Sequence, residues 1–249
     1  MEPHPPHLHH SSGKRFSQYF YEFLMLFFAV FCGFIAENIR ENYVEREKEK
    51  QYMESLVLDL SADTSILSKA IKYNSFVSLG LDSLTNKLFD TENLISNTLS
   101  IYSLNANYIR LITADMNDQT ITQLRNSGGL RLIRNSEVVN SISKYWINSE
   151  FIQLEVGRLR SQLENTAEYG YGIFNRNYIK SILVNEEENI VVDPAAHFMI
   201  ADKNMIINYA NRLTRMNGII KRFLKEKLIE QKYLTIHLIE LIKREYQLS

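Results

Sequence analysis

The chain has 249 residues, 28 of them basic and 29 acidic, and a net charge of −1, so no whole-molecule field directs it to nucleic acid. Glycine (9) and proline (4) are scarce, and Pro3, Pro5 and Pro6 crowd the N-terminus, leaving Pro194 alone to interrupt a chain that reads as all-α. The single cysteine, Cys32, lies in an apolar stretch, which excludes a disulfide framework or a cysteine metal site from the rest of the chain.

Residues 1–15, MEPHPPHLHHSSGKR, offer no apolar face to bury and read as a disordered tail. Its histidines, His4, His7, His9 and His10, could meet a transition metal, but a tail without a fixed second shell binds weakly, and no cofactor or metal is expected. The next segment decides where the protein resides. Phe23 to Ala36 is free of charged residues and is short for a span, yet the apolar zone extends from Phe16 to Ile39 with only Glu22 and Glu37 as interior carboxylates. Those 24 residues would make roughly 36 Å of helix, enough to cross a bilayer. Tyr19, Phe20 and Tyr21 gather at one end as an aromatic belt would. A cleaved signal is disfavoured because Phe34 stands three positions before a cut at Ala36, and lipid attachment at Cys32 is disfavoured by the bulk of Phe31. An uncleaved transmembrane helix over 16–39 is the reading.

Ala29, Cys32, Gly33 and Ala36 recur at i, i+3, i+4 and i+7, with Glu22 seven residues before Ala29 on the same face. Small residues let a second helix approach closely in lipid, so this face is a candidate contact with the chain itself or with another membrane protein. The alternative is that short apolar segments contain small residues by chance and Glu22 merely reaches the headgroups.

Residues 40–52 form a charged helical stalk, with Glu45–Lys48 and Glu47–Lys50 paired at i,i+3. Glutamates alternating with lysines there largely cancel any attraction to acidic headgroups. From Met53 to Ser249 the pattern is that of a helical bundle. Met53, Leu56, Val57, Leu60, Leu67 and Ile71 repeat at helical spacing, and helices are expected near 53–75, 82–105, 117–126, 136–183 and 203–246. In QLRNSGGLRLIRN, Gly128 and Gly129 can take the positive φ that ends a helix, making a tight helix corner before a cap at Asn135 or Ser136. A phosphate cradle would need a lysine-bearing loop that is missing here. Val138, Ile142, Tyr145, Ser149, Ile152, Val156, Leu159 and Leu163 alternate spacings of four and three, as in coiled-coil packing, and Ile206, Tyr209, Leu213, Met216, Ile220 and Phe223 repeat that spacing. Residues 185–197 read as a loop around Pro194.

The stretches YEFLMLFFAVFCGFIAENIRE, EREKEKQYMESLVLDLSADT and QLRNSGGLRLIRNSEVVNSISKYW together resemble a large bacterial family of single-pass membrane proteins with a helical domain of unknown function. The resemblance covers roughly residues 15–150 and implies no activity. It implies a cytoplasmic N-terminus, an inner-membrane span and a periplasmic domain. Counting positive charges alone argues the other way, since Lys14 and Arg15 precede the span while Arg40, Arg46, Lys48 and Lys50 follow it. The periplasmic placement is preferred because members of the family it resembles share a strongly basic N-terminus and because the domain has no cysteine.

No zinc-protease, P-loop, nucleophile-elbow or kinase signature occurs, so no enzyme is expected. His237 and Glu240 share a helix face in the reverse of a di-metal order and occur once, as a surface pair would. Asp193 and His197 fit a loop end with a helix cap, and Tyr145 with Trp146 fits packing before it fits a ligand wall. The expected function is a membrane-anchored scaffold or accessory subunit, with membrane lipid and a second copy or another membrane protein as partners and no nucleic acid. The alternative is a sensing bundle that binds a small ligand and works through a membrane partner.

Overall fold

The computed structural model describes residues 12–109, 114–184, 187–199 and 202–248. Residues 1–11, which carry the tail's histidines, lie outside them, whereas Ser12–Arg15 of the expected disordered tail are helical. The chain divides into two compact units, Met1–Gln51 and Tyr52–Ser249. The fold is all-α with one small antiparallel sheet.

In the first unit every described residue is helical, within α1 (Ser12–Phe89). Phe16, Phe20, Phe23, Phe27, Phe31, Phe34 and Ile39 are all exposed, and the segment is long and apolar enough to cross a membrane.

The second unit holds the rest of α1, followed by α2 (Thr98–Tyr108), α3 (Gln119–Asn126), a 3-10 turn (Gly129–Leu132) and α4 (Ser136–Tyr171). A hairpin of β1 (Ile179–Val184) and β2 (Glu187–Val192) leads to α5 (Lys203–Ile219), a π-helical turn (Ile220–Leu224) and α6 (Lys225–Tyr246). The three stripes read from the sequence become core faces. Met53, Leu56, Val57, Leu60 and Leu67 are buried, as are Val138, Ile142, Tyr145, Ile152 and Val156, and Ile206, Tyr209, Leu213, Met216 and Ile220. α4 packs against α6 and α5.

Three boundaries differ from expectation. The predicted break between residues 75 and 82 is absent: α1 runs on to Phe89, and Gly80 within it serves packing. A Cβ on Gly80 would lie 2.1 Å from the Tyr108 ring, so the missing side chain is what seats that ring against α1. The chain turns instead at Asp90, whose carboxylate accepts from the Asn93 backbone N–H and side-chain amide, a local bond that competes with helix. The helix predicted over 136–183 ends at Tyr171, and the loop predicted over 185–197 contains strand β2. Gly170 and Gly172 weaken the helix end, and Ile179, Ile182, Ile190, Val191 and Val192 supply the β-branched residues that pair well across a hairpin. The helix predicted over 203–246 holds throughout, with one π turn inside it.

Aromatic rings anchor the region after α4. The Tyr102 hydroxyl donates to the His197 carbonyl (2.7 Å) and accepts from the Asn175 backbone N–H (2.9 Å), while Phe174 packs edge-on to Tyr102 and Tyr209. The Tyr209 hydroxyl donates to Asn105 at 2.5 Å. Asp193 accepts from the Ala195 N–H and closes a turn, and the helix cap expected nearby is made by Asp202, which accepts from the Asn204 and Met205 N–H groups of α5.

Candidate functional site

The apolar core of the bundle is divided into two clusters. One contains Leu67, Leu81, Leu88, Ile152, Leu213 and Leu228 among others, and the second contains Met53, Leu60, Ile121, Val138, Ile142, Tyr145 and Leu238. On three helices a polar residue stands between the clusters. Asp63 stands between Leu60 and Leu67 on α1, Ser149 between Tyr145 and Ile152 on α4, and Gln231 between Leu228 and Leu238 on α6. Each occupies a core-facing position, so none can be left without a partner at low cost.

They meet one another. The Tyr145 hydroxyl donates to Asp63 Oδ2 at 2.5 Å, and the Asn117 backbone N–H donates to Oδ1 at 2.7 Å. Gln231 Nε2 donates to Ser149 Oγ (2.6 Å) and the Tyr145 carbonyl (3.2 Å), and its Oε1 accepts from Asn148 (2.7 Å). One turn earlier on α1, Asp59 accepts from the Asn117 side-chain amide (2.7 Å) and the Thr120 N–H (3.0 Å). Two aspartates four residues apart on α1 thus hold the entry to α3, where a helix N-terminus favours negative charge. Burial pushes the Asp63 carboxyl above the usual aspartate range, and the neighbouring Asp59 and Asp118 carboxylates add to the rise, against the Tyr145 and Asn117 donors. Burial and the bond to Asp63 push the Tyr145 phenol up in turn.

Beside this layer a cleft of about 870 Å³ opens between the Asp115–Asp118 segment with Ile121 and the outer side of α4 from Tyr145 to Leu154. Its floor includes Tyr145 and Ser149, both members of the polar layer. Trp146 lines one side, with the Arg125 guanidinium 3.6 Å above its ring. Both rings pack, Tyr145 within the second cluster and Trp146 against it, and both also line the cleft.

A second polar layer crosses the upper core. Asn217 on α5 donates to the Ser78 carbonyl and to Asp82, and Lys221 bonds the same carboxylate at 2.6 Å. The side-chain oxygens of Asn74 and Asn217 are buried and have no hydrogen-bond donor among the described residues.

No family model, no curated protein and no solved structure matches the chain.

The residues singled out in the sequence lie in different units. Glu22, Ala29, Cys32, Gly33 and Ala36 are exposed on the first unit, where a Cβ built on Gly33 meets nothing within 4 Å and Glu22 accepts from Gln18 at 3.4 Å. Gly128 and Gly129 belong to the second. Gly128 takes φ +70°, and a Cβ on Gly129 would press on Leu124 at 3.0 Å and Tyr52 at 3.3 Å. Asn135 caps α4 by accepting from the Glu137 and Val138 N–H groups, and donates to Glu245 at 2.8 Å. His237 and Glu240 are exposed on α6. Among the described residues no group of three or more His, Cys, Asp or Glu is placed to hold a metal ion.

Asp63 and Gln231 escaped the reading of the sequence. Their signal was present: Asp63 falls three residues after Leu60 and four before Leu67, inside a stripe read only for its apolar members.

Proposed function

We propose that this protein is a single-pass, membrane-anchored helical scaffold or accessory subunit that acts through protein contacts and carries no catalytic chemistry of its own. It belongs, on this reading, to the bacterial family it resembles, with the span in the inner membrane, the N-terminus in the cytoplasm and the bundle in the periplasm.

The observation that carries the proposal is the two-faced character of the span. Phe23, Phe27 and Phe31 stack along one side, with successive ring centroids 6.3 Å and 5.9 Å apart. At ~100° per residue the small side chains of Ala29, Cys32, Gly33 and Ala36 fall on roughly the opposite side. Bulk toward lipid and a smooth face toward a second helix is the division that helix association in membranes requires, since apolarity alone does not drive helices together there.

The test is to tag the C-terminus, extract the protein in mild detergent and identify by mass spectrometry what accompanies it in stoichiometric amount. A co-purifying membrane protein makes this chain an accessory subunit, and several copies of the chain alone make it a self-assembling anchor. A monomer without a stoichiometric companion would overturn the proposal. In either supported case Gly33→Leu is expected to reduce crosslinking through the span, and unchanged crosslinking would remove the small-residue face from the account.

One observation favours a ligand-sensing bundle as the second reading, namely the cleft beside the polar layer, whose volume lies in the range of small-molecule sites. A small ligand that raises the thermal midpoint of the full chain would support it.

A further inference from the structure

The cleft is better matched to a protein segment than to a small neutral molecule. Ile147, Phe151 and Leu154 line it at i, i+4 and i+7 and are 60%, 37% and 54% exposed, a stripe of large apolar side chains on a water-facing helix. From Tyr145 to Leu154 the wall runs ~14 Å along α4, the length of two to three helical turns. Asp115, Asp118 and Glu150 also line it and are exposed, no lysine or arginine is among the described lining residues, and none of the three carboxylates has an ion-pair partner among the described residues. The walls are fixed before anything binds, because Asp59 and Asp63 hold Asn117 while Gln231 holds Ser149. An apolar strip with an unpaired acidic rim on rigid walls selects an occupant of opposite charge and matching apolar face.

We infer that this cleft is the docking groove for a cationic amphipathic helix of a partner protein, its apolar residues laid on Ile147, Phe151 and Leu154 and its lysines or arginines on Asp115, Asp118 and Glu150. The inference rests on the scaffold reading and names the partner's chemistry.

Trp146 is the only tryptophan in the chain and lines the cleft, so its fluorescence reports occupancy. The experiment titrates the full chain in zwitterionic nanodiscs with a synthetic helical peptide lacking tryptophan, with leucines at i, i+4 and i+7 flanked by lysines. A peptide with the same leucines but glutamates for lysines is the control, and empty nanodiscs are the blank. The lysine peptide is expected to shift Trp146 emission saturably, with affinity falling as salt rises. Neutralising the rim in an Asp115→Asn, Asp118→Asn, Glu150→Gln variant is expected to weaken binding about tenfold. Leu154→Ser, which keeps the rim, is expected to weaken it several-fold. Equal binding of the two peptides, unchanged binding to the neutralised variant, or no saturable shift overturns the inference. So does displacement of the peptide by hexylammonium alone at comparable affinity, which would make the cleft a small-cation site. Should the peptide fail while co-purification yields a stoichiometric partner, the scaffold reading stands and only the groove assignment falls.

Discussion

The segment from Phe16 to Ile39 and the bundle from Tyr52 onward place their side chains by opposite rules. In the first, phenylalanines and aliphatic residues face outward and none from Phe16 to Ile39 is buried. In the second, the apolar stripes turn inward, and among the described residues an aspartate, a glutamine, two asparagines and several threonines are buried with them. On the membrane-anchored reading proposed above, the difference lies in the solvent each is built for. In lipid, outward apolar surface costs nothing and a buried core brings no hydrophobic gain, whereas in water burial of apolar surface is the main driving force. The layer of Asp63, Tyr145, Ser149 and Gln231 is tolerated in the bundle because its members are joined by hydrogen bonds from one helix to another.

This contrast can be tested most sharply by truncating one large side chain in each region. Leu213→Ala, in the fully buried core, is expected to cost about 2–5 kcal/mol in urea unfolding of the bundle, and Phe27→Ala to change it by less than about 0.5 kcal/mol. A Phe27→Ala cost approaching that of Leu213→Ala would mean that the apolar segment is packed into the fold. Gly80→Ala comes next. In an ordinary exposed helix this change gains about 1 kcal/mol, but here the new methyl collides with the Tyr108 ring and the expected outcome is a loss of about 1–3 kcal/mol. A gain in thermal midpoint would show that Tyr108 does not sit on α1.

The polar layer responds to pH. Asp63 binds its proton more tightly when folded, so the stability it contributes is complete below the usual aspartate pKa and is lost as pH rises through the elevated one. Tyr145→Phe removes a donor to the ionised carboxylate while leaving the ring in place. It is expected to cost about 1–3 kcal/mol at neutral pH and less in acid, where the protonated carboxyl no longer depends on that donor. Urea titrations at several pH values check the sign, and a cost that grew in acid would contradict the assigned bond. The smallest effect belongs to the corner. Gly128→Ala forces a Cβ into the left-handed region at φ +70° and is expected to cost about 1 kcal/mol.

How much of this was legible depended on whether a signal was local. The long apolar N-terminal helix, the stripes on α1, α4 and α5, and the break at Gly128 can all be read from spacing and residue type, because a helix repeats every 3.6 residues and glycine tolerates positive φ. The hairpin was not read, since its strands are short and one begins soon after a helix-like run, where Gly170 and Gly172 give only a weak stop. The continuity of α1 through residues 75–82 was missed, and only the arrival of Tyr108 shows what Gly80 is for.

The sequence by itself determined that the chain is helical, that one N-terminal segment has the length and apolarity of a span, and which face of α1, α4 and α5 turns inward. These follow from chain geometry and side-chain solubility, and each is written within a single helix. Only the tertiary structure decided that Asp63, Tyr145, Ser149 and Gln231 share one layer, and that Asp115, Asp118 and Glu150 ring one cleft. Those groupings join residues more than eighty positions apart in the first case and about thirty in the second. No periodicity along one helix can specify which polar position on another it will meet, because that pairing is set by how the helices pack.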